Sequence, residues 1–122
     1  MRNVIVTGGS RGLGLGIARR LAGSGFRVIA IARQEGTALA AARAELGDRL
    51  HFQAADLAEL ANLPSLIRGL RRNLGPIYGL VNNAALGTSG VLANMPDAAI
   101  EQLIRLNVVS PIMLTKYAVR PM

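Results

Sequence analysis

Residues Val6 to Leu15 read Val-Thr-Gly-Gly-Ser-Arg-Gly-Leu-Gly-Leu, a stretch that few folds can use. The apolar run Val4-Ile5-Val6 ahead of it predicts a buried parallel strand. Beyond Leu13, the residues Ile17, Ala18 and Leu21 recur at helical spacing. The predicted order is therefore strand, glycine loop, helix. A helix N-terminus offers unpaired N–H groups and partial positive charge, and glycine lets an anion approach them closely. Gly8, Gly12 and Gly14 form a Gly-x-x-x-Gly-x-Gly pattern, one residue wider in its first gap than the commoner dinucleotide fingerprint. Glycine-rich turns also end strands for steric reasons alone, but the flanking strand and helix are the context that a phosphate loop requires. No Gly-Lys-Ser/Thr follows, which argues against a P-loop NTPase.

The rest of the chain repeats the same unit. Gly23-Ser24-Gly25 stops the first helix, and residues 26–31 predict a second buried strand. Residues 37–46 are alanine-rich and helical, with Gly47 placed to end them. A short third strand spans residues 50–54. Leu63, Leu66, Ile67, Leu70 and Leu74 mark one face of a helix, with Pro64 in its first turn and Gly75-Pro76 ending it. Residues 77–81 predict a fourth strand, followed by Asn82-Asn83-Ala84-Ala85 and a loop with Gly87 and Gly90. From Asp97 onward the apolar spacing is helical to the end, with Pro111 expected to bend the helix. Strands alternating with helices predict an α/β domain with a parallel sheet.

The 122 residues fit one domain, and an apolar half makes disorder improbable. Cysteine is absent, which excludes disulfide and thiolate chemistry. No apolar run approaches the ~20 residues of a spanning helix, so the expectation is a cytoplasmic protein without membrane association. The net charge of +7 rests almost wholly on arginine, Lys116 being the only lysine. Those arginines are scattered, paired only at Arg19-Arg20 and Arg71-Arg72, and Phe26, Phe52, Tyr78 and Tyr117 are the only aromatics. A nucleic-acid surface is therefore not expected. His51, the only histidine, reads as a strand residue, and no metal site is expected.

Thr7–Gly14, Asp56-Leu57, Asn82–Ala85 and Asn107 occur in the order and spacing of the short-chain dehydrogenase/reductase family, which the whole chain resembles. Within that family it is most similar to the ketoacyl-carrier-protein reductase type. The resemblance implies a Rossmann-type doubly wound parallel sheet, with strand order 3-2-1-4-5-6 when complete. Residues 1–122 would be an incomplete NADP-binding Rossmann domain: the first four strands with flanking helices, the C-terminal half absent.

The same resemblance implies a cofactor site at Gly8, Ser10, Arg11, Gly12, Leu13, Gly14, Arg33, Asp56, Leu57, Asn82, Asn83, Ala84 and Ala85. In it the glycine loop holds the pyrophosphate, with the backbone N–H of Leu13 contributing. Asp56 hydrogen-bonds the adenine amino group, and residues 82–85 let the ribose pass. Taken alone, Asp56 is better read as a helix-capping or turn residue. Family members usually have glycine where Ala85 stands. Asn107 matches the catalytic asparagine whose backbone carbonyl holds a water in the proton relay; taken alone it is an ordinary exposed helix residue.

Cofactor choice follows from the end of the second strand, where NAD sites place an acid for the ribose 2′-hydroxyl. That position is Ala32, followed by Arg33. An arginine there pairs with a 2′-phosphate, and Arg11 approaches from the glycine loop. Glu35 lies too far along to replace the missing acid. The expected cofactor is NADP; two solvated arginines are the plainer alternative.

The family's chemistry also uses a serine, and a tyrosine with a lysine four residues later. Tyr78 is followed at that distance by Asn82 and Tyr117 by Pro121. The chain thus reads as the N-terminal half of an NADP(H)-dependent oxidoreductase that reduces a small-molecule carbonyl such as a ketoacyl thioester. On its own it is expected to be inactive and poorly stable, with the fourth strand an unprotected edge. The alternative is a non-catalytic dinucleotide-binding or scaffold protein. Ile104, Leu106, Val108, Val109, Ile112, Met113 and Leu114 put apolar groups on more than one side of the last helix. A homo-oligomer, dimer or tetramer, joined through that helix is expected.

Overall fold

The computed structural model describes residues 1–85 and 92–122. The expected loop with Gly87 and Gly90 lies outside these residues. Four strands, β1 (Asn3–Thr7), β2 (Arg27–Ala32), β3 (Leu50–Ala54) and β4 (Ile77–Val81), form one parallel sheet in the order β3-β2-β1-β4. Five helices accompany them: α1 (Gly12–Gly23), α2 (Gly36–Leu46), α3 (Leu63–Leu74), α4 (Asp97–Ile104) and α5 (Ser110–Val119).

Every residue of β1 is buried, as an inner strand covered on both faces must be. Alternation along the strand divides its side chains between two cores. Val4 and Val6 join Val28 and Ala30 beneath Leu15, Ala18 and Ala22 of α1 and Leu39 and Ala42 of α2. Ile5 joins Ile29 and Ile31 on the other face, against Leu63, Ile67 and Leu70 of α3 and Leu114 and Ala118 of α5. The strand pairing keeps this division in step: Ile5 lies opposite Ile29 on one side and Leu80 on the other. Helices on both faces make the sheet doubly wound.

The lower edge of the sheet is held by Asn3, which is 2% exposed. Its Nδ2 donates to the carbonyls of Leu74 and Pro76, both at 2.9 Å, and its Oδ1 accepts from Arg27 Nε at 2.8 Å. This joins the entry to β4 to the starts of β1 and β2. The opposite, carboxyl edge carries the loops that matter for function.

The last helical stretch differs from a simple proline bend. Between α4 and α5, residues Arg105–Val109 form a π-helical turn, and Pro111 sits in the first turn of α5. Proline has no N–H to give the carbonyl four residues earlier, that of Asn107, so the α pattern cannot run through. The apolar residues of this stretch also separate by role. Leu114 is buried, with Leu106 and Met113 packed against the same core, whereas Ile104, Val108, Val109 and Ile112 are exposed. Among the described residues, no helix is long and apolar enough to cross a membrane.

Candidate functional site

The carboxyl ends of all four strands open onto one edge of the sheet. Residues Gly8–Arg11 leave β1, Arg33 leaves β2, Ala55-Asp56 leave β3 and Asn82–Ala85 leave β4. Helices α1 and α2 pack on one face and α3 on the other. The connections therefore diverge between β1 and β4, the crevice where open α/β sheets bind ligands.

The glycine loop is shaped by contact with the end of β4. Gly8 has φ +66°, and a Cβ there would lie 3.0 Å from Ala84 Cα. A Cβ on Gly14, inside the first turn of α1, would lie 2.1 Å from the carbonyl oxygen of Gly8. No side chain of two carbons or more fits at that position. No side chain caps α1, and its first turn has no acid. The N–H groups of that turn thus remain for an anion.

Thr7 fixes the crevice from below and was not among the site residues expected from the sequence. Its Oγ1 accepts from the backbone N–H groups of Asn83 and Ala84, each at 3.0 Å, and donates to Val81 O at 3.4 Å. Asn83 Nδ2 in turn donates to Gly8 O at 3.2 Å. The only sequence signal was a hydroxyl at the end of an otherwise apolar strand. Asn83 is thus spent on holding the loop. Asn82 is exposed and donates to Thr115 Oγ1 at 3.0 Å, tying β4 to α5.

The other expected residues fall around this edge in different ways. Ser10 is half-buried, while Arg11, Leu13 and Arg33 are exposed. Arg11 has an extended backbone and precedes the first turn of α1. Asp56 is exposed, and its Oδ1 accepts from Ala58 N at 3.0 Å, an Asx turn. It is a turn residue as well as one wall of a cavity of about 360 Å³ that Ala54, Glu59, Asn62 and Leu66 also line. The Leu57 side chain is 7% exposed and belongs to the core, leaving only its main chain for a ligand. Ala84 packs against that core and Ala85 is exposed. No described residue other than glycine has positive φ, so alanine at 85 is not strained. Asn107 lies in the π-helical turn and is half-buried, not a fully exposed helix residue.

The family model described as short chain dehydrogenase matches residues 2–122. The chain belongs to the short-chain dehydrogenase family. Among curated relatives, human 3-oxoacyl-[acyl-carrier-protein] reductase is 32% identical over 117 residues, which are 96% of this chain and 49% of the human protein. A metagenomic short-chain oxidoreductase solved in complex with NADP superposes with a TM-score of 0.86 at 33% identity, over 95% of this chain and 54% of that one. A blue fluorescent protein from a metagenomic library, in complex with NADPH, superposes with a TM-score of 0.90 at 31% identity, over 99% of this chain and 51% of that one. The chain spans about half the length of the curated short-chain dehydrogenase relatives it matches. Their shared fold is the doubly wound sheet described above.

Proposed function

We propose that residues 1–122 form the NADP(H)-binding Rossmann domain of an oxidoreductase that reduces a carbonyl, with a ketoacyl thioester or similar ketone as substrate class. The carrying observation is the fit of the crevice to a dinucleotide. Gly14 leaves room only where Gly8 O already stands, α1 has no capping side chain, and Arg33 follows Ala32 at the end of β2. The resemblance to a human 3-oxoacyl-[acyl-carrier-protein] reductase supports the substrate class.

In this reading Gly8, Ser10, Gly12, Leu13 and Gly14 present main-chain groups to the pyrophosphate. Arg33 and Arg11 pair with the 2′-phosphate. Asp56 retains one carboxylate oxygen for the adenine amino group while the other holds its turn. Leu57 contributes through its backbone, and Asn82, Asn83, Ala84 and Ala85 border the ribose. Asn107 positions a water through its backbone carbonyl. NADPH, when bound, supplies the hydride. The exposed Ile104, Val108 and Ile112 support assembly with a second copy through the last helix.

The second reading is a non-catalytic dinucleotide-binding or scaffold protein. It is favoured by the lack, within residues 1–122, of a tyrosine followed four residues later by lysine. Titration with NADPH and NADH, monitored by nicotinamide fluorescence, tests the shared cofactor site; equal affinities would refute the NADP assignment. Oxidation of NADPH with a ketoacyl thioester then separates the two readings.

A further inference from the structure

We propose that Arg43 sets the cofactor preference of this crevice by neutralising Glu35, an inference that rests on the NADP reading above. Glu35 is the first acid in the sequence and stands two residues beyond Arg33, at the N-cap position of α2. Two trans peptide units bring its Cα to within about 7.6 Å of the Arg33 Cα. A free carboxylate there would repel a 2′-phosphate and compete with it for the Arg33 guanidinium.

The structure removes that carboxylate from play. Arg43 Nη1 donates to Glu35 Oε2, with the side chains 41% and 29% exposed. The pair spans eight residues, two turns of helix rather than one, so the Arg43 side chain runs back toward the start of α2. Its Nε is buried with no hydrogen-bond partner. An orphaned buried donor is destabilising, so the guanidinium is not placed there by its own hydrogen-bonding needs. What it gains is the carboxylate.

Charge balance shows the consequence. With Arg43 in place, Arg33 faces the 2′-position with an unopposed positive charge. Without Arg43, Glu35 cancels that charge. The freed carboxylate would also accept a hydrogen bond from a ribose 2′-hydroxyl, the task an acid performs in NAD sites. Glu35 is thus a latent NAD determinant that Arg43 keeps silent.

The test is calorimetric titration of the chain at low salt with 2′,5′-ADP and with 5′-AMP, which differ in the 2′-phosphate. Arg43→Met should weaken 2′,5′-ADP roughly five- to tenfold and leave 5′-AMP unchanged or tighter. Glu35→Gln combined with Arg43→Met should restore 2′,5′-ADP binding. Unaltered binding in Arg43→Met overturns the proposal. Persistent loss in the double variant also overturns it, because Arg43 would then hold the phosphate itself. If Arg43→Met does not fold by circular dichroism, Glu35→Gln alone decides: 2′,5′-ADP binding must hold or tighten, and any weakening beyond about twofold refutes the proposal. Loss of the 2′-phosphate preference in Arg33→Ala but not in Arg43→Met would keep the NADP reading and discard this one. No preference in the unsubstituted chain would discard both.

Discussion

The hydroxyl of Thr7 accepts the backbone N–H of Asn83 at 3.0 Å, and Asn83 returns a side-chain hydrogen bond to the carbonyl of Gly8 at 3.2 Å. The end of β1 and the end of β4 thereby hold one another, and the glycine loop is set by the strand beside it. Because Thr7 is 2% exposed, water cannot replace either contact.

Thr7→Val keeps the shape and removes the acceptor shared by the N–H groups of Asn83 and Ala84. It should destabilise the fold by about 2–4 kcal/mol. Thr7→Ser retains the oxygen and should lose less than half as much. Urea unfolding of the two variants checks this, and equal losses would mean that the hydroxyl is not the anchor.

Gly14 and Gly16 differ by half a turn of α1 and should respond in opposite directions. A Cβ at Gly14 meets Gly8 O, whereas one at Gly16 has nothing within 4 Å. Gly14→Ala should weaken nucleotide binding roughly ten- to hundredfold by displacing the loop. Gly16→Ala should stabilise the chain by about 0.5–1 kcal/mol with binding intact. Thermal unfolding beside an NADPH titration distinguishes the two.

Arg33→Ala should weaken NADPH roughly ten- to hundredfold, the loss of one charge-assisted contact to a dianion, with NADH changed by less than about twofold. Parallel losses for both cofactors would mean that Arg33 shapes the loop and does not read the phosphate.

Ile112 is 66% exposed, on the stretch that also exposes Ile104 and Val108. If a second copy covers this face, Ile112→Glu should convert the assembly to a monomer at micromolar concentration while leaving the circular dichroism spectrum unchanged. Light scattering of the variant and the parent decides the matter. A parent that is already monomeric would refute assembly through this helix.

Local rules made most of the scaffold legible. The observed bounds of β3, α3 and β4 are those the apolar spacing and the flanking Gly and Pro residues predict, and Gly47 ends α2 as expected. β1 begins one residue earlier and ends one later than its apolar run, because Asn3 and Thr7 are polar residues that sheet pairing buries. Their partners lie more than seventy residues away, so no local pattern could announce them. The π-helical turn was hidden for a different reason: Pro111 signals a break but not whether the helix kinks or takes up an extra residue. At the site, the glycine spacing was readable because it reflects steric exclusion. The engagement of Glu35 by Arg43 was not, since an eight-residue separation fits no standard helical pair.

The π-helical turn at Arg105–Val109 also fixes the rotational phase of everything after it. Each residue advances a helix by about 100°, so removing one residue from the turn would rotate α5 by about that angle against α4. Leu114 and Ala118 would swing off the sheet, and polar neighbours such as Thr115 would be driven toward it. A single-residue deletion here would therefore act less like a shortened helix than like a slipped gear.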